Sequence, residues 1–256
     1  MKTIINHFSD LFRSVADNIG FILAALAISA AIVLVAVAAE KIIWSLQKKQ
    51  GREAEGRTRE SMKIHRMTLI AVLTALAVVL MTLEFPIPGI PDFYKLDFSE
   101  IPVIIGAFAM GPLAGVAIEF LKVVLHIFVA GTTTAYVGDF ANFVMGCCYI
   151  VPASIIYMYR KKKLSAQVGM IVGMVCVVVA GCLMNAYYLL PTYAKMMNLK
   201  IDDFVGMGQE KNQFITSLKT LIVFGVIPFN LLKYGAVSLV TRFSYKHISK
   251  LLKKQP

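Results

Sequence analysis

EIPVIIGAFAMGPLAGVAIEFLKVVLHIFVA (100–130) is the stretch whose reading decides the fold. It is apolar throughout except for Glu100, Glu119, Lys122 and His126. Read as one membrane crossing, it places the basic run Arg160–Lys163 on the outer side. Read as two crossings, it returns that run to the cytoplasmic side. Gly111-Pro112 divides it at the right place, because proline starts helices well and continues them badly. A short helix at 100–110 and a second at 113–130 follow. At 1.5 Å per residue the first is only about 16 Å long. It cannot span a hydrocarbon core of about 30 Å, so neighbouring helices must shield it.

The rest of the chain supports a membrane setting. Hydrophobic residues make up 58% and charged residues 16%, against about 45–50% and about 25% in soluble domains. The excess lies in long uncharged runs such as FILAALAISAAIVLVAVAA (21–39) and GMIVGMVCVVVAGCLM (169–184). The net charge of +11 does not point to nucleic acid. Sixteen of the 26 basic residues fall in three clusters, Lys48 to Arg66, Arg160 to Lys163 and Arg242 to Lys254, each beside an apolar run. Cytoplasmic loops have that pattern under the positive-inside rule.

Counting crossings between the clusters gives the topology. A helix at 20–46, too long for a signal-peptide core, starts from an outer N-terminus. It leads into a basic cytoplasmic linker at 47–66. Core helices are expected at 67–84, 100–110, 113–130, 140–159, 166–190 and 228–246. The three prolines and one glycine of EFPIPGIPDFYKLD exclude regular helix at 84–97. Pro191 is expected to end its helix. Pro228 is expected to start the last, with 214–225 packed over the outer surface or forming a kinked extension. Loops 85–99, 131–139 and 191–213 lie outside. With their edge they carry Asp92, Asp97, Glu100, Asp139, Asp202, Asp203 and Glu210 against four basic residues. The fold class is therefore all-α integral membrane: one extra helix in 1–46, the linker, and a six-helix domain at 67–256 with a cytoplasmic tail.

Charged groups inside membrane helices cost roughly 2.5–3.5 kcal/mol each on insertion scales, so those present need a reason. Asn230 and Lys233 share a helix face. With Asn142 and Asn185 they converge near the outer helix ends. Amides donate and accept, and an ammonium donates three ways, which suits a neutral polyhydroxylated ligand better than a metal. The bland alternative is hydrogen-bonded glue between helices. No acidic partner for Lys233 is evident along its helix. Glu119, Lys122 and His126 share a face of helix 113–130. The functional reading of this set is a proton relay or a metal site; a structural ion pair explains the first two more simply, and one histidine with one carboxylate is too few for zinc. Cys147, Cys148, Cys176 and Cys182 read as small hydrophobes within apolar runs. Ala71 and Ala75 form a small-xxx-small pattern that lets another helix approach. No P-loop, HExxH motif or nucleophile elbow is present, so the sequence does not read as an enzyme.

Residues from Met67 to about Lys253 resemble the riboflavin-specific S components of energy-coupling factor transporters. EFPIPGIPDFYKLDFSEIP (84–102), GAFAMGPLAGVAIEFLKVVLH (106–126), GDFANFVMG (138–146), MNAYYLLPTYAK (184–195) and PFNLLK (228–233) carry the likeness. The resemblance implies a six-helix fold that captures one vitamin from outside the cell membrane. It implies a transmembrane coupling subunit and two ATPase subunits as partners, and release of the vitamin by toppling within the membrane. It places Tyr94, Lys95, Leu96, Asp97 and Ser99 in a capping loop and Asn185, Asn230 and Lys233 at the ribityl chain. It makes Ala71 and Ala75 the docking motif for the coupling subunit. Riboflavin is the expected ligand, with FMN left open and no metal or other cofactor implied. The helix at 20–46 is not part of the minimal family pattern. An S component for another vitamin, a membrane enzyme using Glu119 and His126, and an assembly protein without a ligand are the competing readings.

Overall fold

Glycine and proline set the joints of this helical chain. The computed structural model describes residues 19–49, 59–132 and 136–253. The first 18 residues, positions 50–58 of the expected linker and 133–135 of the expected outer loop lie outside the described residues. In chain order the helices are α1 (Ile19–Lys49), α2 (Arg59–Thr82), α3 (Glu100–Met110), α4 (Pro112–Ala130) and α5 (Val137–Arg160). Then come α6 (Lys163–Met184), α7 (Leu190–Met196), α8 (Ile201–Lys211), α9 (Leu218–Leu221) and α10 (Ile227–Lys253). Between α2 and α3 the chain forms a small antiparallel hairpin, β1 (Phe85–Pro86) and β2 (Lys95–Leu96), in which Phe85 faces Leu96.

Six spans among the described residues are long and apolar enough to cross a membrane: Gly20–Leu46, Ile64–Thr82, Pro112–Ala130, Val137–Arg160, Lys163–Met196 and Leu218–Phe243. The short α3 stands among them. This is the six-helix fold with one additional N-terminal helix. Gly111 joins α3 to α4 with φ +99°, a conformation that L side chains rarely adopt, and Pro112 opens α4.

Several helix ends differ from expectation, and the last helix runs on to Lys253 rather than 246. The first core helix begins at Arg59 rather than 67. The helix expected to stop at Pro191 runs on to Met196, because residues Asn185–Leu189 form a π-helical turn. There the Leu190 N–H reaches back to the Asn185 carbonyl. The wider turn shifts the register just before Pro191, whose missing N–H and bulky ring would otherwise break the helix. The same device precedes Pro228. A π-helical turn at Ile222–Val226 links α9 to α10, so 218–243 is one interrupted span. The kinked extension at 214–225 is thus the form taken from Leu218 onward.

The core is centred on α5, which packs on α1, α3, α4 and α6. Contact with α6 is close because α6 presents glycines. A Cβ at Gly169 would lie 2.5 Å from the Ala153 carbonyl oxygen, and one at Gly173 would lie 2.3 Å from that of Tyr149. In a membrane this small-residue stripe replaces the hydrophobic effect as the reason two helices stay together. A smaller apolar cluster of Leu190, Phe204, Ile215 and Leu221 seats α8 over the α7 and α9 end of the bundle.

Helix α1 rests on α4 and α5. Phe21 stacks on Tyr188 at 6.1 Å and meets Phe140 edge-on at 5.8 Å. At the other end the Arg66 guanidinium of α2 pairs with Glu40 at 3.1 Å. Ala71 and Ala75 lie exposed on α2. Of the four cysteines, Cys147 is buried, Cys148 and Cys182 are half-buried and Cys176 is exposed on the apolar surface. The small-buried-hydrophobe reading therefore fits Cys147 best and Cys176 not at all.

A loop-capped cavity over buried ion pairs

The hairpin loop folds back over the bundle because its own aromatics find partners there. Phe93 meets Phe204 of α8 edge-on at 5.7 Å, and Tyr94 tilts against Phe229 of α10 at 5.2 Å. Aromatic pairs of this geometry contribute about 0.5–1.5 kcal/mol beyond area burial. Beneath them is a cavity of about 230 Å³. The end of α2, the loop, α4, the start of α5, the π-helical turn after α6, α7 and the start of α10 line it.

Six of the expected site residues line this cavity: Tyr94, Lys95, Asp97, Asn142, Asn185 and Asn230. The amides are held in set orientations. The Tyr94 hydroxyl donates to Asn185 Oδ1 at 2.7 Å, and Asn185 Nδ2 donates to the Gly181 carbonyl at 2.8 Å. Asn230 Nδ2 donates to the Val226 carbonyl at 2.8 Å. The π-helical turn begins at Asn185, so the device that lets α6 pass Pro191 lies where the helix offers a polar group to the cavity. Burial, with smaller effects from Tyr193 and Cys182, pushes the Tyr94 phenol well above its ordinary value. It therefore stays a neutral donor. Lys95 pairs with Glu84 at the rim.

The other three expected residues, Leu96, Ser99 and Lys233, are absent from the lining. Each is committed elsewhere. Leu96 is buried in the hairpin. Ser99 Oγ accepts from Lys122 Nζ at 3.1 Å. Lys233 has an acidic partner after all: its Nζ donates to Asp97 Oδ2 at 2.7 Å, from a residue 136 positions away. The other Asp97 oxygen accepts the Ser99 backbone N–H at 2.8 Å, beside the start of α3. Burial pushes the Asp97 carboxyl up, but Lys233, Lys122 and the Ser99 hydrogen bond outweigh it and leave the value at about 2. Asp97 thus joins the capping loop to α10 below the cavity.

Glu119 and Lys122 pair at 2.7 Å, as their spacing suggests. Lys122 also holds Glu100 of α3 at 2.9 Å, a partner not anticipated for it. His126, read as a member of that same face, instead lines the cavity. Phe229 and Tyr193 also line it and were missed. Their only sequence signal is position: Phe229 precedes Asn230, and Tyr193 follows Pro191.

The family described as "ECF transporter, substrate-specific component" matches residues 65–245. The riboflavin transporter FmnP of Bacillus subtilis is 32% identical over 181 residues, 70% of this chain and 89% of that protein. The riboflavin transporter RibU of Staphylococcus aureus is 32% identical over 201 residues, covering 78% and 98%. RibU of Lactococcus lactis is 35% identical over 190 residues, covering 70% and 90%. Among solved structures, the S component of a bacterial ECF transporter superposes with a TM-score of 0.59 at 29% identity. That match covers 75% of this chain and 99% of the other.

Proposed function

Because this chain belongs to the substrate-specific components of ECF transporters, we propose that it is the riboflavin-binding membrane subunit of such an uptake system. The carrying observation is the cavity itself. One side offers flat apolar surface, Tyr94 against Phe229. Around it converge the amides of Asn142, Asn185 and Asn230. An isoalloxazine ring suits the first and ribityl hydroxyls suit the second, since polar groups buried without partners would lose affinity. Pockets for drug-sized ligands run to roughly 300–1,000 Å³. At about 230 Å³ the cavity is slightly small for one. Among the described residues the lysine that lines the cavity, Lys95, is already paired with Glu84, which favours riboflavin over phosphorylated FMN.

The basic clusters support a cytoplasmic C-terminus, and the parity of crossings supports an N-terminus outside. The cavity then opens to the exterior. We assign Ala71 and Ala75 to docking of a transmembrane coupling subunit, which two ATPase subunits would drive. Both alanines are exposed, and small residues permit close helix approach. Release inside then follows from reorientation of the loaded subunit, not from chemistry on the ligand.

The test is a titration of purified protein with riboflavin, followed by quenching of flavin fluorescence. Saturable one-to-one quenching is expected, weakened at least tenfold in Asn230→Ala and Asn142→Ala, with FMN binding more weakly. Unchanged flavin fluorescence in the presence of folded protein would remove the riboflavin assignment.

A further inference from the structure

Under the cavity, charges do not balance. Asp97, Glu100 and Glu119 supply three carboxylates, each no more than 3% exposed. Lys122 and Lys233 supply two ammonium groups, at 1% and 4%. No other ion pair among the described residues involves these five. His126 lies one turn along α4 from Lys122 but pairs with none of the carboxylates among the described residues. Among the described residues the other polar groups facing the cluster are neutral types: Ser99 before α3, Cys147 and Tyr149 on α5, and Tyr234 on α10. One negative charge is left over at the centre of a membrane protein. An isolated buried charge costs enough that a titratable group neutralises instead.

The hydrogen bonds single out which group. Asp97 receives Lys233 and the Ser99 N–H. Glu100 receives Lys122 through Oε1. Glu119 Oε1 meets Lys122 Nζ at 2.7 Å only as an ion pair of poor hydrogen-bond geometry, and Glu119 Oε2 is buried with no partner at all. Glu100 Oε2 is also unbonded and buried. Both carboxyls touch the same Nζ, so they are neighbours. Both also crowd Gly146 of α5, where a Cβ would lie 2.4 Å from Glu119 Oε1 and 3.1 Å from Glu100 Oε1. The absence of a side chain there makes the space for the pair.

We propose that Glu119 is a proton-binding site: its carboxyl is neutral in the folded protein and supplies the donor that the Glu100–Glu119 pair otherwise lacks. The cluster then carries two positive and two negative charges and sums to zero. The proposal rests on the fold and its ion pairs and is independent of which vitamin is carried.

Infrared spectroscopy of the purified protein tests it directly. At neutral pH a carbonyl stretch of a protonated carboxylic acid is expected, shifted in D2O and insensitive to sodium. Glu119→Gln should abolish that band while leaving riboflavin quenching within about twofold. His126→Gln should leave the band in place. Raising the pH should remove the band and lower the melting temperature of the wild type, and Glu119→Gln should lose that alkaline decline. No acid band in the wild type at neutral pH overturns the proposal. So does a band that persists in Glu119→Gln, or a sodium-dependent melting temperature without any band, which would make the occupant a metal ion. If Glu119→Gln does not fold, the wild-type band and its pH dependence still decide.

Discussion

Helices α1 and α5 are both long enough to cross a membrane, but the more apolar one is the less buried. About 6% of the α1 span is enclosed by the rest of the chain, against 61% of the α5 span. In water the order would be reversed, because burial is what apolar surface seeks. In a bilayer lipid tails satisfy apolar side chains, so a helix facing them can be uniformly greasy. A helix inside the bundle is free to carry Asp139 and Tyr149, because Thr132 and Ser238 supply their hydrogen bonds, and to carry Gly146, which leaves space for its neighbours. Function collects on the enclosed helices for that reason, and hydropathy alone ranks them in the wrong order.

That contrast can be attacked by substitution. The largest effect is expected at Lys233→Ala. It leaves Asp97 buried without its counter-ion, and breaking such a pair costs about 3–5 kcal/mol. The melting temperature should fall by more than in any other single variant considered. The Asp97 value lies near 2, below the ordinary 3.9 or so of an unfolded chain. Its pairing therefore stabilises the fold fully above about pH 4 and is lost as pH falls towards 2. The difference in melting temperature between wild type and Asp97→Asn should shrink over that window. An unchanged difference would dissolve the link between loop and α10.

Next in size is Gly146→Val, which drives methyl groups into Glu119 and Glu100. Overpacking costs about 1–3 kcal/mol, and thermal unfolding in detergent should register it. Tyr94→Phe should cost about 1 kcal/mol or less, the usual net value of one hydrogen bond. Its signature is faster loss of bound riboflavin in stopped-flow measurements, since the bond to Asn185 fastens the loop. The smallest effect is expected at Leu34→Ala on the exposed face of α1, below about 0.5 kcal/mol. A loss there equal to that of Gly146→Val would mean that α1 is enclosed after all and would collapse the contrast.

Legibility in the sequence followed the range of the interaction. Gly111-Pro112 announced the α3–α4 joint because backbone restriction is local. The Glu119–Lys122 pair was visible because three residues separate its members. The polar side chains of Asn142, Asn185 and Asn230 stood out against apolar helices. Lys233 looked unpartnered because its partner arrives from a loop 136 residues earlier, and Glu100 escaped for the same reason. Pro191 reads as a stop in the sequence because π-helical turns leave no clear mark in composition. His126 was placed by helical spacing with Glu119 and Lys122, yet a turn farther along the same face already opens into the cavity.

The eleven residues of α3 reach about 16 Å from Gly111, near Glu40, to Glu100. A hydrocarbon slab is about 30 Å thick. If Gly111 sits at one boundary of that slab, Glu100 and the floor of the cavity sit close to its middle. A solute resting on that floor has already covered half the distance across. The remaining transport step is then a change of exit rather than a journey.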